Sequence, residues 1–264
     1  MMKKHAELVR RNFSYSAKTY DKIATMQRSI ADELLTRIHN VSGSSALLDI
    51  GMGTGYLLQM LHLRYPDARL FGCDYAYGMV RQAHEKKISA RLLQADAQML
   101  PFSDGVFDAA VSNVTYQWVP DLAKAFLDVC RVLKSGAPFY FSVFSENTLS
   151  ELRQTLLQFI AGDSGVRISA LPNHALIVQM LGETGFGDIE VEYSRSRSYY
   201  KYLGELLLWL KQIGVNRFLP RQLHRGLSAR GFLASLSEEY NKHYSEDGKV
   251  FATFEVLYVR AKKM

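Results

Sequence analysis

The sequence predicts an α/β fold built on a doubly wound, mostly parallel sheet. Two observations carry that expectation. Strand and helix patterns alternate through residues 45–145, and three acids, Asp49, Asp74 and Asp96, stand at the ends of three successive strand candidates. Ligands of open α/β sheets bind at the carboxyl ends of strands, so acids at three such ends mark a binding crevice.

The elements follow in order. Ala6, Val9 and Phe13 share one face of a first helix, and Ile23, Met26, Ile30 and Leu34 recur at helical spacing in a second. The segment FSYSAKTYD between them reads as an aromatic and polar turn. Phe13, Tyr15 and Tyr20 could staple the two helices to the domain, or the turn could close as a lid that aims Tyr20 and Gln27 at the reaction centre. Residues 46–55, ALLDIGMGTG, are a buried strand ending at Asp49 and Ile50 and then a turn in which Gly51, Gly53 and Gly55 alternate. Glycine accepts positive φ and lets backbone N–H groups approach a ligand at a helix N-terminus. A dinucleotide fingerprint needs its third glycine one position later, where Tyr56 stands, so a pyrophosphate cradle is disfavoured. The G-x-G-x-G spacing instead resembles the first motif of class I methyltransferases that use S-adenosylmethionine.

A second strand, RLFGCD, ends at Asp74, 23 positions after Gly51, where an acid can accept both ribose hydroxyls; a turn or helix cap is the alternative for a strand-end aspartate. After a helix over Met79 and Ala83 comes a third strand near Arg91–Ala95. Asp96 and Ala97 just beyond it could meet an adenine, or Asp96 could cap its own loop. VFDAAVSNV is a fourth strand, Asp121–Lys134 a helix and PFYFSVF a fifth strand. His174–Glu183 looks helical, Ile189–Tyr193 alternates as a strand, and VFATFEVLYVR reads as the last one. Residues 195–245 are an insertion that the sheet does not need, and such insertions carry substrate specificity. The expected organisation is therefore an N-terminal helical lid (1–42), a ligand-binding core (43–194), a cap insertion (195–245) and a final core strand (246–264).

Composition narrows the class. At 264 residues the chain can bury a full core. Cys73 and Cys130 lie in apolar surroundings that suit thiols of a reducing cytoplasm, and no metal-ligand spacing is present. The N-terminus is charged without an apolar signal segment, and the greasiest stretch, Leu203–Leu210, is too short to span a bilayer. A soluble cytoplasmic protein without a metal is expected.

Five segments together, FSYSAKTYDKIATMQ, LLDIGMGTG, LPFSDGVFDAAVSN with QWVPDL, RVLKSGAPFYFSVF and LKQIGVN, resemble the BioC-type malonyl-acyl-carrier-protein O-methyltransferases of biotin synthesis over nearly the whole chain. Met52 departs from that family, which usually has cysteine there; its side chain should point away from the cofactor. The resemblance implies a class I methyltransferase Rossmann-like sheet, mostly parallel with an antiparallel last strand. It implies S-adenosylmethionine as cofactor, held by Gln27, Asp49, Gly51, Gly53, Gly55, Asp74, Tyr75, Met79, Asp96, Ala97 and Asn113. It also implies a malonyl-loaded acyl carrier protein as substrate, with Tyr20, Gln117 and Trp118 at the reacting groups and Phe13 beside the substrate.

That chemistry suits the residues. Methyl transfer to a carboxylate is an in-line displacement that neutralises a cation and an anion, and the carboxylate is already ionised, so alignment in a dry site suffices without a general base. No His-Asp or Cys-His constellation stands out among the seven histidines. Gln117 and Trp118 offer an amide and an indole N–H to orient a carboxylate; the alternative is a helix cap and a core ring. Arg153 is a cationic alternative for the same task. Between residues 195 and 230 eight basic residues, including Arg217 and Arg221, face the single acid Glu205, with aromatics interleaved. The acidic helices of a carrier protein fit this patch; nucleic acid is the weaker expectation because the lid and the QW motif favour the carrier. Methylation of a free small molecule, or a non-catalytic cofactor-binding regulator, are the competing functions.

Overall fold

A computed structural model describes residues 2–39, 41, 45–159, 171–213 and 227–264. One sheet runs through the chain in the order β3-β2-β1-β4-β5-β8-β6, with β7 paired to β8. Its strands are β1 (Ala46–Ile50), β2 (Arg69–Asp74), β3 (Arg91–Gln94), β4 (Ala109–Asn113), β5 (Pro138–Phe144), β6 (Phe186–Tyr200), β7 (Ser245–Glu246) and β8 (Lys249–Lys263). The pairs β1–β2, β1–β4, β2–β3 and β4–β5 are parallel. Gly136 N–H donates to Lys263 O and Lys263 N–H to Ala137 O, the crossed pattern of an antiparallel neighbour, so the last strand reverses as expected. Strand order turns back between β1 and β4, which puts the switch point at the carboxyl ends of those two strands.

Burial explains the central elements. All of β1 is buried, as a strand covered on both faces requires. On α5 (Leu122–Val132), Ala125, Phe126, Val129 and Val132 form the buried stripe, and the Asp121 carboxylate caps the first turn by accepting the Lys124 N–H at 3.0 Å, a contribution of about 1 kcal/mol. The remaining helices of the core are α1 (Met2–Ile23), α2 (Thr25–Thr36), α3 (Tyr56–Arg64), α4 (Tyr77–Glu85) and α7 (His174–Glu183).

The N-terminus differs from the expectation of two helices split by an aromatic turn. The helix α1 runs unbroken through FSYSAKTYD, and the break falls at Ala24, with φ −86° and ψ 33°. The polar side chains that suggested a turn bond back along the helix instead: Ser16 to the Phe13 carbonyl and Thr19 to the Ser16 carbonyl. Tertiary packing reinforces this, because Gly78 of α4 lets the α1 backbone approach so closely that a Cβ there would lie 2.3 Å from Ser14 O.

The chain groups into two compact units, one of residues 1–143, 172–193 and 256–264, the other of 144–171 and 194–255. The second therefore takes in α6 (Ser150–Phe159), expected as core, and the first half of β8, beside α8 (Leu203–Gln212) and α9 (Leu227–His243). One of its polar ties is Glu151, which is buried and accepts both the backbone N–H and the hydroxyl of Thr253.

Candidate active site

The first unit carries a cleft at the carboxyl ends of β1 and β4. Among its lining residues are Tyr20, Gln27, Asp49, Gly51, Gly53 and Asn113. The turn that builds it begins where the N–H groups of Gly51 and Met52 both donate to the Cys73 carbonyl, at 2.8 and 3.0 Å. Gly51 has φ +72° and Gly53 φ +57°, a region that costs side-chain-bearing residues about 1–3 kcal/mol. The two glycines serve different ends. A Cβ on Gly51 would strike the Thr115 side chain at 2.2 Å, whereas one on Gly53 would meet nothing within 4 Å among the described residues, so Gly53 leaves an open cradle. The thioether of Met52 is buried beside Gly72, and Met52 is among the residues that line the cleft.

Asp74 shapes this cradle. Its carboxylate accepts Gly53 N–H at 2.9 Å and Ala76 N–H at 2.7 Å, and each oxygen keeps a lone pair for a further donor. Burial pushes this acid up to about 6, against the pull of the Ala76 and Gly53 N–H groups. Asp49 is more extreme. It is 1% exposed, and neither of its oxygens has a partner among the described residues. Burial, then the Asp74 charge, raises it to about 8. Gln27 Oε1 lines the same cleft, buried and equally without a partner. Asp49, protonated near neutral pH, and Gln27 Oε1 leave three oxygens without partners in one cleft, which a ligand bringing N–H donors and positive charge would satisfy.

The helix α1 is fastened over this turn. Asp21 accepts Thr54 Oγ1–H at 2.6 Å and pairs with Lys86 Nζ at 2.7 Å. Tyr20 beside it is raised well above the usual phenol range by burial, then by Asp74 and Asp21, so it stays a neutral donor. Phe13 meets Trp118 edge to face with centroids 5.3 Å apart, and Tyr20 at 6.2 Å.

Beyond β4 the backbone is strained. Val114 has φ +43°, rare for a β-branched residue. Its N–H donates to both Ser142 Oγ and Ser142 O at 3.0 Å, and its carbonyl accepts Gln117 Nε2–H at 2.6 Å. Asn113 Nδ2 donates to the Gln27 carbonyl at 2.9 Å while Asn113 Oδ1 accepts the Ser142 hydroxyl at 2.7 Å. Gln117 thus has one amide N–H engaged by Val114, and its Oε1 is buried without a partner.

The other expected site residues lie as follows. Gly55 opens α3, where a Cβ would strike Ile88 at 2.1 Å. Met79 is buried with Ala17 and Ala76, so it joins α4 to α1. Tyr75 lies under the Arg10 guanidinium at 5.8 Å. Asp96 accepts both the backbone and the side-chain N–H of Gln98, and Ala97 packs on the core. Arg153, in the second unit, donates to the Glu146 carbonyl at 2.7 Å. Arg217 and Arg221, with Arg225, lie outside the described residues, whereas Arg195, Arg197, Lys201, Lys211 and Arg230 of the basic segment are described. Sequence reasoning missed Asp21, Thr54, Val114 and Ser142. Thr54, between two glycines of the turn, was the one with a visible signal.

A methyltransferase-domain family matches residues 48–141. The chain is 33% identical over 256 residues to the malonyl-[acyl-carrier protein] O-methyltransferase of Methylococcus capsulatus, covering 96% of this chain and 92% of that protein. It is 31% identical over 262 residues to the protein of the same name from Geobacter sulfurreducens, covering 97% and 98%. Among solved structures, the YcgJ protein of Bacillus subtilis aligns with TM-score 0.61 at 18% identity over 88% of this chain and 97% of its own. Phosphoethanolamine N-methyltransferase 2 of Haemonchus contortus, in complex with S-adenosyl-L-methionine, aligns with TM-score 0.59 at 20% identity over 95% of this chain and 57% of its own. These two likenesses establish a shared fold.

Proposed function

The chain belongs to the malonyl-[acyl-carrier protein] O-methyltransferase family, and from that premise we propose that it methylates the free carboxylate of malonyl-acyl carrier protein, using S-adenosylmethionine, to give the ester that starts pimeloyl synthesis for biotin. The observation that carries this reading is the set of buried, unpaired acceptors, Asp49 and Gln27 Oε1, beside the open cradle at Gly53. They fit a cationic amino-acid cofactor. When bound, that cofactor supplies a methyl group made electrophilic by its sulfonium.

The chain's own residues do the rest. Asp49 and Gln27 would receive the ammonium, and Asp74, with a free lone pair on each oxygen, the ribose hydroxyls. Gly53 leaves room for the ligand beside its backbone, and Tyr20 on α1 keeps water from the reacting groups. Gln117 and Trp118 orient the malonyl carboxylate, the second amide hydrogen of Gln117 being the donor left to it. An ionised carboxylate requires no base, so alignment sets the rate. The N-terminal helices serve as the lid, and residues 195–245 as the cap, with Arg217 and Arg221 facing the acidic carrier. No helix among the described residues is long and apolar enough to cross a membrane, and two free thiols support a cytoplasmic setting.

Titration calorimetry tests the cofactor half: the protein should bind S-adenosylmethionine, and Gln27→Ala should weaken it. No binding by the parent would refute the reading.

A further inference from the structure

Ser142 sits on β5, fully buried, and does not itself line the cleft. Its hydroxyl nevertheless meets both arms of the site. On one side it donates to Asn113, whose amide holds the Gln27 carbonyl and hence the α2 residue that brings an unpaired acceptor to the cofactor. On the other it shares with the Ser142 backbone carbonyl the N–H of Val114, whose own carbonyl holds the Gln117 amide. Between the arms stands the positive φ of Val114, a conformation that a β-branched residue does not adopt unaided.

We propose that Ser142 is a positioning residue: its hydroxyl, added to the bond that its own carbonyl makes with the Val114 N–H, completes the hold on the left-handed conformation and so sets Asn113 with Gln27 toward the cofactor and Gln117 toward the carboxylate. The inference rests on the functional reading above for the roles of the two glutamines. The geometry also separates two effects of losing the hydroxyl. The Asn113 arm governs cofactor affinity. The Val114 arm governs turnover, because a displaced Gln117 misaligns an in-line attack.

The decisive comparison is a rescue. Ser142→Ala should lower turnover of malonyl carrier protein at saturating substrate about thirtyfold. Adding Val114→Gly should recover much of that loss, because glycine takes positive φ without support. A purely structural serine would show the opposite, since a second core truncation would only loosen the protein further. In calorimetry, Ser142→Ala should weaken S-adenosylmethionine about tenfold, as one well-placed hydrogen bond does. Ser142→Ala combined with Asn113→Ala should bind no more weakly than Asn113→Ala alone, because both act through one arm. Should Ser142→Ala lose its cooperative melt, Ser142→Cys, which is slightly larger than serine and keeps a weak donor, takes its place. A double variant no more active than Ser142→Ala, or additive losses of affinity, would overturn the proposal. A parent that binds cofactor but leaves the carrier unmodified would refute the functional reading instead, and the calorimetric comparison then decides for Ser142.

Discussion

Thr54 Oγ1 donates to Asp21 Oδ1 at 2.6 Å, and through that bond the glycine turn and the last turn of α1 become one piece. Lys86 completes the clasp from the end of α4. Tyr20 and Gln27 flank this point on either side of the break at Ala24, so the clasp decides where both of them stand.

Asp21→Ala should therefore weaken S-adenosylmethionine binding about tenfold while lowering stability by only about 1 kcal/mol, because Asp21 is partly exposed and its ion pair is screened. Burial pushes Asp21 up, but Lys86 and Thr54 together outweigh it and hold its carboxyl below the usual range. A depressed acid contributes its stability above the unfolded value, about 3.9, and loses it as pH falls through the folded value. The gap in melting temperature between parent and variant should accordingly close in acid; a constant gap would mean that the clasp is not electrostatic.

Asp49 has the opposite sign. Its folded value, about 8, lies far above that of a free carboxyl, so the proton stabilises the folded state and the free protein loses stability as pH rises from about 4 to about 8. Asp49→Asn should be the more stable protein by a margin that grows across that window and then stays level. An arriving ammonium should expel the Asp49 proton. Binding enthalpy at pH 7 should depend on the buffer's ionisation enthalpy in the parent and not in Asp49→Asn; equal buffer dependence in both would remove Asp49 from the cofactor seat.

Asp74→Ala should cost about 2–4 kcal/mol of S-adenosylmethionine affinity without unfolding the domain. Part of the loss belongs to the turn, whose Gly53 and Ala76 N–H groups would be released. Calorimetry against the parent reads it directly, and equal affinities would place the ribose elsewhere.

Gln117→Ala should lower turnover of malonyl carrier protein at least tenfold while changing cofactor affinity little, since it acts on alignment rather than on binding. Steady-state kinetics beside calorimetry checks the split. Unchanged turnover would shift the carboxylate to Tyr20 or Arg153.

What could be read in the sequence was what repeats along it. Strand periodicity and strand-end acids located β1, β2 and β3 and thereby Asp49 and Asp74, and the glycine spacing located the turn. The unbroken α1 was not legible, because Ser14, Ser16 and Thr19 favour turns locally and only Gly78 across the interface makes the helical packing possible. Nor was Ser142 legible. Its partners, Asn113 and Val114, are 29 and 28 residues away, at and just past the end of the neighbouring strand, and only the β4–β5 register, which sets Asn113 opposite Ser142, brings them together.

Transfer itself is the most direct measurement. Malonyl-loaded and acetyl-loaded carrier protein should be incubated with the enzyme and methyl-labelled S-adenosylmethionine, and the intact carriers weighed and fragmented. The malonyl carrier should gain one methyl group, located on the free carboxylate and removed by ester hydrolysis, while the acetyl carrier stays unchanged. An unmodified malonyl carrier in the presence of bound cofactor, or equal labelling of both carriers, would contradict carboxyl methylation as the function of this protein.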